Sequence, residues 1–257
     1  MKSLYESIMQ SRFPVHKIDE SILNKSGVGK IYQIQSWLDE HGVKNYTINN
    51  KGEIDVDRDV NLRKKGLTEF PPFIQFGAVK GDFICAFNSL TSLRGCPRVV
   101  KKNFCCNENK LTSLEGSPIE VGGSVFCFDN ELATLEGSPE KVGGDFICNF
   151  NKLESLKGAP REVGGDFNCC SNNLKTLEGA PKKVGGLFGC YSNDLESLKG
   201  APERVGGDFN CRSNNLESLE GAPKEVGGGF VCSHNSTKFT EDDVREVCKA
   251  KKGIIVK

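Results

Sequence analysis

A chain of 257 residues in which 34 basic side chains balance 34 acidic ones has no general pull toward nucleic acid or an anionic membrane, so neither is expected as a partner. No apolar run approaches the roughly 20 residues of a membrane span, and the charged opening MKSLYESIMQSRFPVHKIDE lacks the apolar core of about 7–15 residues that a secretory leader needs. Twelve cysteines without an export signal lead to the expectation of a reducing, cytoplasmic setting.

Residues 1–28 show no sustained period; Leu4, Ile8 and Met9 fit one side of a short helix, and the rest reads as a loosely ordered segment. An amino-terminal cap is expected over 29–57. Its helix, IYQIQSWLDEHG from 31 to 42, sets Ile31, Ile34, Trp37 and Leu38 on one stripe and stops at Gly42. The following YTINNKGEIDV, 46 to 56, alternates apolar and polar residues around Asn-Asn-Lys-Gly, a hairpin signal. Over 58–80, Val60, Leu62, Leu67, Phe70 and Val79 fall in degraded repeat order with Lys65 where an Asn belongs, giving an atypical first rung.

From Gly81 a unit of 21 residues recurs, most legibly as GGDFNCRSNNLESLEGAPKEV over 206–226. So short a unit cannot enclose a core, and each copy must bury its apolar face against its neighbours. The array is expected to run to 237. Phe209 and Cys211, two apart, point to the same face of a short strand, the interior. The Leu216–Leu219 pair, Pro223 and Val226 line the return path, where Pro disfavours both a helix and another ladder strand. Burial of each Phe, Leu and Val contributes roughly 1.5–3 kcal/mol, and only with neighbours present. Gly-Gly ahead of the strand permits a corner with positive φ or close backbone packing.

Two columns follow from the period. Cys85, Cys106, Cys127, Cys148, Cys169, Cys190, Cys211 and Cys232 occupy the inward strand slot, as buried free thiols acting as small apolar groups. Cys96, Cys105, Cys170 and Cys248 stand outside it, with Cys105 and Cys170 expected to face outward. Three residues after each column cysteine come Asn88, Asn109, Asn130, Asn151, Asn172, Asn193, Asn214 and Asn235, whose amides suit the backbone groups left open where the ladder stops. A group needed on every rung is scaffold. At the far end, Thr240 and Asp243 bracket a helix start; a cap over 238–257 should hold a helix to about Lys251 and a strand from Ile254 to Val256.

F-x-C-x-x-N-x-L resembles the leucine-rich-repeat core L-x-L-x-x-N-x-L with Phe and Cys in the first two apolar slots. Its continuation L-x-S-L-x-G-x-P-x-x-V is similar to the return of short bacterial leucine-rich repeats, and the GG-D-F-x-C-S-N-N form is closer still to leucine-rich-repeat proteins of tailed bacteriophages and gut bacteria. The resemblance covers about two-thirds of the chain. It implies a mainly β solenoid with parallel strands on the concave face, an extended or turn-like convex face and short helices confined to the end caps; of function it implies only that such scaffolds bind partners. Similar bacterial effectors sometimes carry a ubiquitin-ligase domain after the repeats, for which 238–257 is too short.

Chemistry finds little foothold. His16, His41 and His234 lie far apart, zinc spacing of the C-x-x-C type is absent, and Asp55, Asp57 and Asp59 open like a calcium loop but continue without its glycine or closing glutamate. No enzyme, metal or cofactor is expected. The outward strand positions carry the variation. Ile84, Cys105, Phe126 and Ile147 lie between Phe and Cys slots, with Phe128 and Tyr191 one place after the cysteine and Phe87 and Phe150 two places after. Apolar groups in these slots concentrate on the first four full rungs, and such a patch commonly marks a partner site. It has two structural alternatives: the amino-terminal segment covers the patch, or Phe126 replaces the ladder Phe missing at Val125. The expected function is a monomeric module gripping a protein partner, a host factor if the chain is phage-encoded; the alternative is a component that assembles with copies of itself.

Overall fold

The computed structural model describes Lys17–Ile18 and residues 28–256. The repeats coil into a parallel β-solenoid in which each turn adds one strand of two residues to each of two sheets. In a typical turn Arg204–Val205 joins a twelve-stranded sheet, the chain bends at Gly206-Gly207, and Phe209–Asn210 joins a ten-stranded one. We call these the valine sheet and the cysteine sheet. Equivalent residues stand in register from turn to turn, as in Phe167 against Phe188 and Phe188 against Phe209. Along the cysteine sheet each turn donates to the next, Cys169 N to Gly189 O at 2.8 Å; along the valine sheet each donates to the one before, Gly185 N to Val163 O at 3.0 Å.

The valine sheet corrects the expectation that proline keeps the return path out of a ladder. Pro202 and Pro223 lie two residues ahead of the strands Arg204–Val205 and Glu225–Val226. The missing N–H of proline therefore falls outside the ladder, whose donors include Lys224 and Gly227.

Between the sheets lies one continuous core. Phe and Cys from one side, Val from the other and both Leu of each turn are buried along the whole array. Phe146, Phe167, Phe188 and Phe209 form a stack with centroids 5.3–5.7 Å apart. Val125, buried and paired with Phe104 and Phe146, holds the ladder position itself, so Phe126 does not replace it.

At the Gly-Gly corner the requirement is space. A Cβ on Gly185 would press into the backbone carbonyl of Gly164, which cannot swing aside. Positive φ belongs instead to the glycine after the second Leu, +90° at Gly200.

Helix α1 (Val28–Glu40) buries Ile31, Ile34, Trp37 and Leu38 at the amino-terminal end, where Trp37 stacks on His41 and meets Phe70 with centroids 6.2 Å apart. Tyr46–Ile48 and Ile54–Val56 form an antiparallel hairpin that extends the valine sheet, and Lys17–Ile18 adds one strand beyond it. The short helix expected around Leu4, Ile8 and Met9 lies outside the described residues. Val60–Asn61 begins the cysteine sheet by pairing with Phe83–Ile84. At the other end helix α2 (Glu241–Val247) starts with a full capping box between Thr240 and Asp243. It stops short of Lys251 because Cys248 is extended and Lys249–Ala250 pairs with Glu225–Val226 as the last strand of the valine sheet. Ile254–Ile255 then closes the cysteine sheet against Phe230–Val231.

Candidate binding face

The asparagine column staples turns together. Asn172 Nδ2 donates to Cys169 O at 3.1 Å in its own turn and to Cys148 O at 3.2 Å in the preceding one, while its Oδ1 accepts from Leu153 N at 3.0 Å. The pattern repeats at Asn109, Asn130, Asn151, Asn193 and Asn214, all buried. At the ends of the column Asn88 and Asn235 are half-buried and make equivalent bonds.

Sequence reading missed a second column, immediately before the inward Phe. Asp59, Asp82, Asn103, Ser124, Asp145 and Asp166 each accept the backbone N–H of the equivalent residue one turn on, at 2.7–2.9 Å. Leu187 interrupts it, and Asp208 resumes it onto Gly229 N at 2.7 Å. Its signal was the recurrence of short acceptor side chains after Gly-Gly. Asp55 and Asp59 of the calcium-like run are occupied in this way, taking Ala78 N and Asp82 N. Asp57 pairs with Lys80 at 2.8 Å. Among the described residues no group of three His, Cys, Asp or Glu side chains could hold a metal ion.

All twelve cysteines are free thiols. The column members are buried, and Cys127, Cys148, Cys169, Cys190 and Cys211 donate to the carbonyl one turn ahead at 3.4–3.5 Å. Burial drives up the pKa values of Cys127, Cys169 and Cys232, and more strongly those of Cys106, Cys148, Cys190 and Cys211, which disfavours the thiolate that nucleophilic chemistry requires. Cys105 is half-buried and is also pushed up, to about 12, first by desolvation. Cys170 corrects the expectation of an outward thiol, being 1 % exposed. The strand has already ended at Asn168, so strict alternation no longer applies, and the thiol meets the Tyr191 hydroxyl of the next turn. Ala86, Asn107 and Ser233 in the same slot are buried too.

The outer faces of the two sheets differ sharply. On the valine sheet the outward column runs Glu120, Lys141, Glu162, Lys183, Arg204, Glu225, Lys249, and neighbouring turns pair charges, Lys141 with Glu162 at 3.3 Å and Arg204 with Glu225 at 3.7 Å. Such exposed pairs contribute little stability, yet they leave a hydrated surface. On the cysteine sheet Ile84, Cys105, Phe126 and Ile147 stand side by side in register, half-buried, and the strip ends at Asn168. Phe128 borders it half-buried; Tyr191, also half-buried, lies beyond its end with Arg212 Cζ 5.1 Å from its ring centre. Phe87 is half-buried beneath Arg63, whose Cζ lies 4.1 Å from the ring centre.

Phe150 is 53 % exposed. The slot it shares with Phe87 is left-handed on every repeat, with φ of 51–57° from Phe87 to His234. Ser, Asp, Glu and His fill it elsewhere. A bulky aromatic in that conformation is strained, and at Phe150 the ring gains little burial in return. No protein-family model and no curated protein matches the chain, so this face is read from its own geometry.

Proposed function

We propose that the protein is a non-enzymatic binding module of the cytoplasm that seats a protein partner on the outer face of the cysteine sheet, centred on Ile84, Cys105, Phe126 and Ile147 with Phe87, Phe128 and Phe150 at its border. The observation that carries this reading is the strained, solvent-exposed Phe150 beside an in-register apolar strip, on a molecule whose other sheet is covered by paired charges. Exposed aromatic groups of this kind dominate interface energetics. Resemblance of the repeat to bacterial and phage leucine-rich repeats supports the same class of function, and a host factor is the partner that a phage origin suggests.

Self-assembly is the second reading, favoured by the terminal strand Ile254–Ile255, where Ile255 is 54 % exposed at the open edge of the cysteine sheet. One experiment separates the two. Affinity capture from the cell of origin is run with Phe128→Asp combined with Phe150→Asp, and with Lys157→Glu combined with Lys199→Glu, whose cations pair with Glu136 and Glu220 away from the strip. The aromatic pair should abolish capture with the melt preserved, and the lysine pair should leave it intact. An oligomer in light scattering that survives the aromatic substitutions and is lost on Ile255→Asp would select self-assembly through the edge strand, and unfolding of the aromatic variant would place both rings in the core and end the proposal.

A further inference from the structure

The apolar strip is small. Four strands at about 4.8 Å spacing span some 14 Å, and a strip of that length about one side chain wide offers far less area than the roughly 800 Å² per partner of a standard protein interface. A single extended segment matches it better than a second folded copy.

Charge around the strip is uneven. Arg63, Lys64 and Lys65 lie together and exposed at its amino-terminal end. Stacking on Phe87 holds the Arg63 guanidinium at the edge of the strip, and its donors meet no hydrogen-bond or ion-pair partner among the described residues. Lys64 Nζ lies 5.3 Å from the same ring centre, also without an ion pair there. A stacked guanidinium with free donors is prepared to take a carboxylate in the two-pronged manner that lysine cannot reproduce. Acids belong to the flanks instead: Asp82 and Asp145 in the column before the inward Phe, Glu108 and Asp129 in the left-handed slot. An acidic residue over the middle of the strip would be repelled, and one at the Arg63 end attracted.

Resting on the binding role proposed above, we propose that the occupant is one extended peptide segment of a partner protein, with large apolar side chains over Cys105, Phe126 and Ile147 and acidic side chains confined to the end that meets Arg63 and Lys64. Like charges along the flanks and opposite charges at one end fix its direction, the usual role of interfacial electrostatics.

The test uses two acetylated, amidated peptides on the full chain, read by fluorescence anisotropy: Glu-Glu-Leu-Ser-Phe-Ser-Leu-Ser and the same peptide beginning Lys-Lys. The first should bind saturably and at least tenfold more tightly than the second. Arg63→Glu with Lys64→Glu, both exposed positions, should reverse that order, and Phe126→Asp should remove both. A peptide carrying its only carboxylate at a free carboxy terminus should bind no better than the lysine peptide; tighter binding would assign the site to a chain end and overturn the side-chain assignment. Equal affinities, an order indifferent to the Arg63 and Lys64 charges, or no binding by either peptide would each refute the proposal. If the peptides fail while Phe128 and Phe150 still govern capture, the binding face stands and only this assignment of its occupant falls. Binding that emerges only after removal of residues 1–16 would make that segment the occupant and likewise overturn a partner peptide.

Discussion

Truncating Asn172 to Ala removes one staple from the middle of the array, and the bonds around it set the size of the effect. Its Nδ2 reaches Cys148 O, Cys169 O and Cys170 O, and its Oδ1 takes Leu153 N. The carbonyls are not all orphaned. Cys148 O keeps Asn151 at 3.0 Å and Cys169 O keeps Asn193 at 3.1 Å. Leu153 N–H, fully buried, loses its acceptor and carries a desolvation cost of about 1–3 kcal/mol, to which the lost bonds to carbonyl add about 1 kcal/mol. Asn172→Ala should therefore destabilise by about 2–4 kcal/mol. Asn173→Ala, next door with an exposed side chain, should change stability by less than about 0.5 kcal/mol. Urea unfolding followed by amide exchange resolves both, since a repeat array can open locally before it unfolds globally. Unchanged protection of the Leu153 amide in Asn172→Ala would refute the staple, whatever the midpoint did.

Stability should fall at alkaline pH. Burial raises the pKa of the thiols from Cys106 to Cys232 along the column, so above about 8.5, where a free cysteine ionises, the folded chain holds more protons than the unfolded one and stability declines as pH rises; urea midpoints level from pH 6 to 8 and falling steeply by pH 10 are expected, and a flat profile would contradict buried, protonated thiols. Gly185→Ala should cost upward of ~2 kcal/mol through overpacking against the Gly164 carbonyl, whereas Gly29→Ala, with open space at its Cβ, should be tolerated in the same melt. Phe150→Asn should leave stability equal or raise it by about 0.5–1 kcal/mol, because Asn accepts left-handed backbone more readily, and a drop of more than ~1 kcal/mol would show the ring packed into the core.

Most of the scaffold was legible because a 21-residue period turns every position into a column, and a column of Phe, Cys, Leu or Asn has one physical meaning repeated many times. Two features escaped for opposite reasons. The second sheet was hidden by Pro202 and its equivalents, whose rule against ladder strands is correct but applies two residues too early to exclude Arg204–Val205. Asp, Asn and Ser before the inward Phe were visible but chemically mixed, and only the shared bond to the next turn's N–H reveals them as one staple. Cys170 failed because alternation was carried two residues beyond a strand that is itself only two residues long.

What distinguishes the proposed binding face from the scaffold is disagreement between levels. Almost everywhere in the columns, Leu187 apart, local preference, burial and hydrogen bonding point the same way: small acceptors at the corner, Asn where the ladder ends, charges paired on the valine sheet. At Phe87 and Phe150 they do not, since a bulky ring occupies the left-handed slot that Ser171, Ser192 and Ser213 fill with less strain. Arg63 gives Phe87 a partner within the chain. Phe150 has exposure instead, and for a residue that is strained by its backbone and unrewarded by its own core the proposed partner would supply the compensation from outside the chain, which is the physical content of that proposal.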